Sequence, residues 1–243
     1  MGESAPAAPR LVRDHPGRTP PTGSGPKIRR VSVQPVRIAI VDYGMGNLRS
    51  VEKALEHVGA SASVSSDHDE IRAAHGIVLP GVGAFPEAMR RIRSRALEEP
   101  ITEQVEGGTP LIGICLGMQL LFERSSELGG AAGLGLLPGP VDALDPGAGK
   151  LPHIGWSPLG IERESPIVAG IAPAEPFYFV HSFIARPEAG AVVASCEHGE
   201  RFAAVVASGN IFGAQFHPEK SSLAGLRMLR NFVGIAAPVA APA

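Results

Sequence analysis

Between residues 37 and 122 strand signals alternate with helix signals, and that alternation constrains the fold more than any other feature of the chain. "RIAIVDY" (37–43) is an apolar, β-rich run, and "NLRSVEKALEHVG" (47–59) sets Leu48, Val51, Leu55 and Val58 at helical spacing before the C-cap residue Gly59. "ASVSS" follows as a short strand, Asp67 with Glu70 forms a capping-box pattern, and "GIVLP" (76–80) is another buried strand. "PEAMRRIRSRAL" and "PITEQVE" predict helices. In "PLIGICLGMQLLF" (110–122), Leu111, Ile112 and Ile114 predict a strand that gives way to a helix carrying Met118, Leu120, Leu121 and Phe122. Such a pattern predicts an α/β fold with an open, mostly parallel central sheet flanked by helices on both faces.

The second half adds an antiparallel strand region. "FYFVHSFIA", "AVVASCEH", "RFAAVVAS" and "NIFGAQF" are closely spaced strands, with Ser208-Gly209-Asn210 as the hairpin turn between the last two. A final helix, "SLAGLRMLRNFV", packs through Leu223, Leu226, Leu229 and Phe232 or Val233.

The ends differ from this body. Residues 1–35 are rich in Pro, Gly and Arg without an apolar period, which predicts a disordered extension; "AAPVAAPA" (236–243) predicts a frayed tail, leaving one domain over 36–235. The extension lacks the apolar segment of a secretory signal, and its Arg excess leaves a transit peptide as the lesser alternative. A net charge of −2 gives no reason to expect nucleic acid or a membrane surface as partner. No apolar stretch approaches the roughly 18 residues that span a bilayer. Two cysteines make no disulfide framework, so a reducing, cytoplasmic compartment is expected. No His/Cys cluster has metal-ligand spacing, and no cofactor is expected.

Cys115 stands at the join of strand and helix. Gly113-Ile114-Cys115-Leu116-Gly117 has the form of a nucleophile elbow, in which a sharp turn pushes the middle side chain out at the sheet's C-terminal edge. The turn crowds the residues two before and two after, hence glycine at both. The helix N-terminus behind Cys115 favours a thiolate, the nucleophilic form, and the Leu116 N–H can face a developing oxyanion. The alternative is a buried structural cysteine in a glycine-flanked turn.

A nucleophile of this kind needs a base, and the base needs an orienting group. "QFHPEKS" (215–221) supplies His217 at a strand end and Glu219 two residues on, with Pro218 stiffening the link. Alone, these read as a loop histidine with a solvated glutamate; beside the elbow they point to a Cys-His-Glu triad. "LPGVGAF" (79–85) adds a loop in which Gly81 and Gly83 permit close approach or rotation of backbone N–H groups, a means of completing an oxyanion hole. It lacks the pattern of a nucleotide-binding P-loop.

GICLGMQ together with HPE resembles the class I (triad) glutamine amidotransferases. "IVDYGMGNLRSV" (40–51), "LPGVGAF", "PHIGWS" (152–157), "YFVHSF" (178–183) and "QFHPEKS" are similar, within that family, to the glutaminase subunits of imidazole glycerol phosphate synthase. The resemblance spans roughly residues 37–235. It implies that Cys115 attacks the side-chain amide of glutamine, with His217 as base and then acid and Glu219 orienting it. It places the oxyanion at the backbone N–H groups of Val82 and Leu116, after a flip within Gly81–Gly83. It gives glutamine binding to Gln119 and to the backbone around Ser182 and Phe183. It further implies a (β/α)₈-barrel cyclase as partner in a heterodimer, receiving the ammonia for histidine biosynthesis.

Trp156, Lys220, Tyr178 and Asn47 are the implied partner-facing residues, although a lone tryptophan is ordinarily core and a lysine ordinarily solvated. Ser157 stands where the family commonly has Asn, and Phe183 where Tyr is common; neither touches the triad. His181 reads as a structural or interface residue, because the triad already has its base. Cys196, in an alternating strand, reads as a buried, inert thiol. Two other functions compete: the glutaminase of another amidotransferase, for anthranilate or guanylate synthesis, and a cysteine peptidase or silent interaction subunit of similar fold. "DYGMGNLRSV" and "PHIGW" speak against the first, and an intact Cys-His-Glu set against silence.

Overall fold

A computed structural model describes Gly2 and residues 35–145, 147 and 150–238. The extension expected over 1–35 therefore lies outside the described residues apart from Gly2 and Pro35, as does the tail from 239 onward.

The first half follows the alternation: β1 (Arg37–Val41), α1 (Leu48–His57), β2 (Ser61–Ser65), α2 (His68–Arg72), β3 (Gly76–Gly81), α3 (Phe85–Ser94), α4 (Glu98–Glu106), β4 (Leu111–Cys115) and α5 (Leu116–Leu120). Then come β5 (Phe122–Ser125), β6 (Ala131–Ala132), β7 (Leu137–Ala143), β8 (His153–Pro158), β9 (Gly160–Ile161), β10 (Pro176–His181), β11 (Phe183–Ala185), β12 (Val192–His198), β13 (Glu200–Ser208), β14 (Ile211–Ala214) and α6 (Ser222–Ile235). The main sheet has the order β2-β1-β3-β4-β14-β13-β12-β9. Its strands are parallel from β2 through β14 and antiparallel beyond. Strands β11-β7-β5-β6 form a second sheet, and β10-β8 a two-stranded ribbon.

Successive side chains along a strand point to opposite faces, so a sheet covered twice needs apolar residues throughout. In β1, Ile38 and Ile40 join Val51 and Leu55 of α1 and Met228, Leu229 and Phe232 of α6 in one core. Ala39 and Val41 join Ile71, Met89, Ile92 and Ile101, from α2, α3 and α4, in the other.

Local expectations fared unevenly. Gly59, expected as the C-cap of α1, lies one residue beyond it: the C-cap is Val58, and Gly59 takes the left-handed turn that follows, at φ +99. Asp67 accepts hydrogen bonds from the N–H groups of Asp69 (2.9 Å) and Glu70 (3.0 Å). The reciprocal arm of a capping box is replaced, however, because the Asp67 N–H goes to Ser65 Oγ at 3.0 Å. Phe122 is not helical: α5 ends after five residues and Phe122 opens β5. "FYFVHSFIA" is two strands in different sheets, divided at Ser182. In α6 the buried stripe runs through Met228, Leu229, Phe232 and Val233, whereas Leu223, in the first turn, is 80% exposed. The core also takes in Ala236, the first residue of the expected tail. Among the described residues no helix is long and apolar enough to cross a membrane.

Candidate active site

The C-terminal edges of β3, β4 and β14 converge on Cys115. Gly81 pairs in register with Cys115, and Ala214, in register with Ile114, precedes the run to His217. Cys115 adopts φ 55, ψ −111, left-handed backbone that costs a non-glycine residue on the order of 1–3 kcal/mol. The elbow explains its glycines. A Cβ at Gly113 would lie 2.5 Å from the Gly117 carbonyl oxygen, and one at Gly117 would enter the Leu79 carbonyl. Because α5 is so short, it offers the nucleophile the unpaired N–H groups of a first turn rather than a long macrodipole. Gly117→Ala is expected to destabilise the protein by about 3 kcal/mol or more, since the obstacle is backbone that cannot swing aside. A melting temperature equal to that of the unsubstituted chain would refute this account of the elbow.

His217 is held from behind. Its Nδ1 lies 2.8 Å from Glu219 Oε1, and the two side chains are 2% and 1% exposed. Its N–H donates to Tyr178 O (3.0 Å), and its carbonyl accepts from Ser221 Oγ (2.7 Å). Nε2 is buried and has no hydrogen-bond partner among the described residues. Burial disfavours the imidazolium, but pairing with Cys115 and Glu219 outweighs it and raises His217 to about 9. The histidine thus carries its proton at neutral pH, next to Cys115.

A cavity of about 330 Å³ opens on Cys115 and His217, with Val82, Gly83, Leu116, Gln119, Ser182, Phe183 and Lys220 on its walls. Gln119 Nε2 donates to Phe183 O (2.9 Å) and to Gln215 Oε1 (3.1 Å). Trp156, on β8, is 53% exposed, and its ring stands 6.0 Å from that of half-buried Tyr178 on β10. Asn47 is exposed and, although at the N-cap of α1, makes no capping hydrogen bond. Cys196 is buried and its thiol pushed up by burial.

Sequence reasoning missed two lining or supporting side chains. Gln215, fully buried, reaches Cys115 Sγ at 4.0 Å; it stands two residues before His217 in an already quoted motif, which was the available signal. Glu127 is, among the described residues, the one acidic side chain on the cavity wall and accepts the Phe85 N–H at 2.7 Å; nothing in its sequence surroundings marks it.

A histidine cluster adjoins the cavity. Burial, then the charge of His198, lowers His153 to about 4; burial, then His153, lowers His181 to about 3. An unfolded chain takes up protons at both near 6.5, the folded chain only well below. Their contribution to stability is therefore present above 6.5 and lost as pH falls towards 4 and 3. His217 has the opposite sign: its contribution is complete below 6.5 and lost as pH rises through about 9. Melting temperature against pH is expected to fall at both ends, and His217→Ala to flatten only the alkaline limb; a limb unaltered by that substitution would contradict the assignment.

Three comparisons bear on the site. The model of the family "Glutamine amidotransferase class-I" matches residues 39–235. The imidazole glycerol phosphate synthase subunit HisH of Bacillus cereus (strain G9842) is 50% identical over 198 residues, covering 82% of this chain and 94% of that protein. The subunit of the same name from Moorella thermoacetica is 50% identical over 196 residues, covering 80% and 93%. Among solved structures, a glutamine amidotransferase matches with TM-score 0.66 at 21% identity, covering 82% of this chain and 98% of that one. PurLQS from Thermotoga maritima matches with TM-score 0.65 at 23% identity, covering 83% and 99%. At these identities the structures speak for the fold.

Proposed function

The chain belongs to the class-I glutamine amidotransferases, and from that premise we propose that it is the glutaminase subunit of an imidazole glycerol phosphate synthase. The observation that carries this reading is Cys115 on a strained elbow facing His217, itself locked to buried Glu219, on the wall of one cavity.

The Cys115 sulfur attacks the carboxamide carbon of glutamine, and the carbonyl oxygen becomes an oxyanion facing the Val82 and Leu116 N–H groups. His217, already protonated at neutral pH, gives its proton to the departing nitrogen. Ammonia leaves and a γ-glutamyl thioester remains. Water then loses a proton to His217 and attacks the thioester, releasing glutamate and the thiol. Glu219 holds the imidazole in one orientation throughout. Gln119 and the Ser182–Phe183 backbone line the substrate side, and Glu127 offers a carboxylate to the substrate's ammonium group.

The ammonia passes to a (β/α)₈-barrel cyclase that makes imidazole glycerol phosphate and an aminoimidazole carboxamide ribotide. Exposed Trp156 and Lys220, with Tyr178 and Asn47, form the face we assign to that partner, and the pair works in the cytoplasm. The domain doing this is 36–235 together with Ala236, which packs into its core, with residues 1–35 outside it. The test is ammonia release from glutamine with and without the cyclase, alongside formation of imidazole glycerol phosphate. Glutamine hydrolysis feeding that product supports the reading; hydrolysis that never does so points to another amidotransferase.

A further inference from the structure

Next to the cavity, a chain of hydrogen bonds runs from β8 to the substrate wall. Ser157 Oγ lies 2.9 Å from His153 Nε2, His153 Nδ1 lies 3.0 Å from His181 Nε2, and His181 Nδ1 lies 3.0 Å from Phe183 O. The last link dictates the proton order. A carbonyl oxygen only accepts, so His181 carries its proton on Nδ1 and donates it to Phe183. A neutral imidazole then has an acceptor at Nε2, which takes the Nδ1–H of His153. His153 Nε2 is in turn an acceptor, for the Ser157 hydroxyl. Both rings stay neutral because burial resists their charging.

Phe183 O also accepts from Gln119 Nε2, at 2.9 Å, so its two lone pairs are both engaged. The second N–H of Gln119 goes to Gln215 Oε1 at 3.1 Å. With both donors spent inside the protein, the Gln119 amide has only its Oε1 left to offer, on a cavity wall.

We infer that His181 is a positioning residue for glutamine: by fixing the Phe183 carbonyl it fixes Gln119 with Oε1 towards the substrate, while His153 and Ser157 hold its tautomer. This rests on the glutaminase reading above. It also gives the Ser157 hydroxyl a role, as the donor that starts the chain.

Two substitutions at one position separate this role from packing. His181 sits among the rings of His153, Phe179 and Phe202, at centroid distances of 5.0, 5.7 and 5.0 Å. His181→Phe keeps the ring and loses the donor. His181→Asn loses the ring and keeps a donor near the Nδ1 position. Ammonia release by the full chain with its cyclase is expected to show KM for glutamine raised about tenfold in H181F, the worth of one buried hydrogen bond, with kcat within about threefold. H181N is expected to lie closer to the unsubstituted KM than H181F does. A packing role predicts the reverse order, and that result, or an unchanged KM in H181F, overturns the inference. Should either variant fail to fold, nitrogen NMR of the histidine-labelled, unsubstituted chain decides: Nδ1–H tautomers at both His153 and His181 support the chain, and an Nε2–H tautomer at either overturns it. If the unsubstituted protein with its cyclase releases no ammonia from glutamine, the functional reading fails and the positioning role falls with it, whatever the tautomers.

Discussion

Cys115→Ser is expected to lower glutamine-dependent turnover of the complex by at least ~10³-fold, while activity with added ammonium salt stays near that of the unsubstituted protein. Serine keeps the size and the strained backbone of the elbow, so the substitution tests chemistry and not fold. What changes is the nucleophile. An alcohol is a weaker acid and a poorer nucleophile than a thiol, so it depends on His217 to take its proton during the attack. The melting temperature is expected to move by no more than a few degrees. Equal loss of glutamine-dependent and ammonia-dependent activity would instead mean that Cys115 holds the structure on which the cyclase depends.

Much of this site was legible because its parts are short-range. Strand, elbow and both glycines lie within Leu111–Gly117, and the crowding that demands those glycines is a local property of a tight strand-to-helix turn. His217 and Glu219 are likewise neighbours in sequence. The sheet was legible for a related reason: parallel strands buried on two faces are apolar nearly throughout, and β3, β4 and β1 after its first residue, Arg37, are such runs. The strands β5 to β9 were not, because their residues are poorly patterned; β7, "LPGPVDA", contains two prolines and a glycine. Phe122 was misread because "MQLLF" is apolar throughout, so no period marks where helix gives way to strand. The histidine chain joins positions from 153 to 183 across two strands of an antiparallel ribbon, and only the register that opposes His153 to His181 reveals it.

The subunit alone is expected to hydrolyse glutamine ~10²–10³-fold more slowly than the complex with cyclase and its nucleotide ligand, with little change in KM. The two glycines flanking Val82 are there for different reasons. Gly81 needs space: a Cβ would lie 2.7 Å from the Tyr43 hydroxyl, 2.8 Å from Gly117 N and 2.9 Å from Leu116 Cβ. Gly83 needs conformation, at φ +94. Tyr43 also donates to Pro80 O at 2.7 Å, fixing the chain just before the loop. One side of the Val82 peptide is therefore anchored and the other permissive, and Val82 itself is 39% exposed. A partner seated against that exposed side would favour one orientation of the peptide by contacts it makes with only that state. The oxyanion would then gain a second donor beside Leu116 N–H, and a donor of this kind is worth about 3–4 kcal/mol at the transition state. Because the oxyanion does not exist in bound glutamine, the gain belongs in kcat and leaves KM nearly untouched. Turnover measured for the subunit alone, with cyclase, and with cyclase plus nucleotide ligand is expected to rise stepwise. Equal rates in all three would leave Gly83 as an ordinary turn residue and place the full oxyanion hole in the isolated subunit.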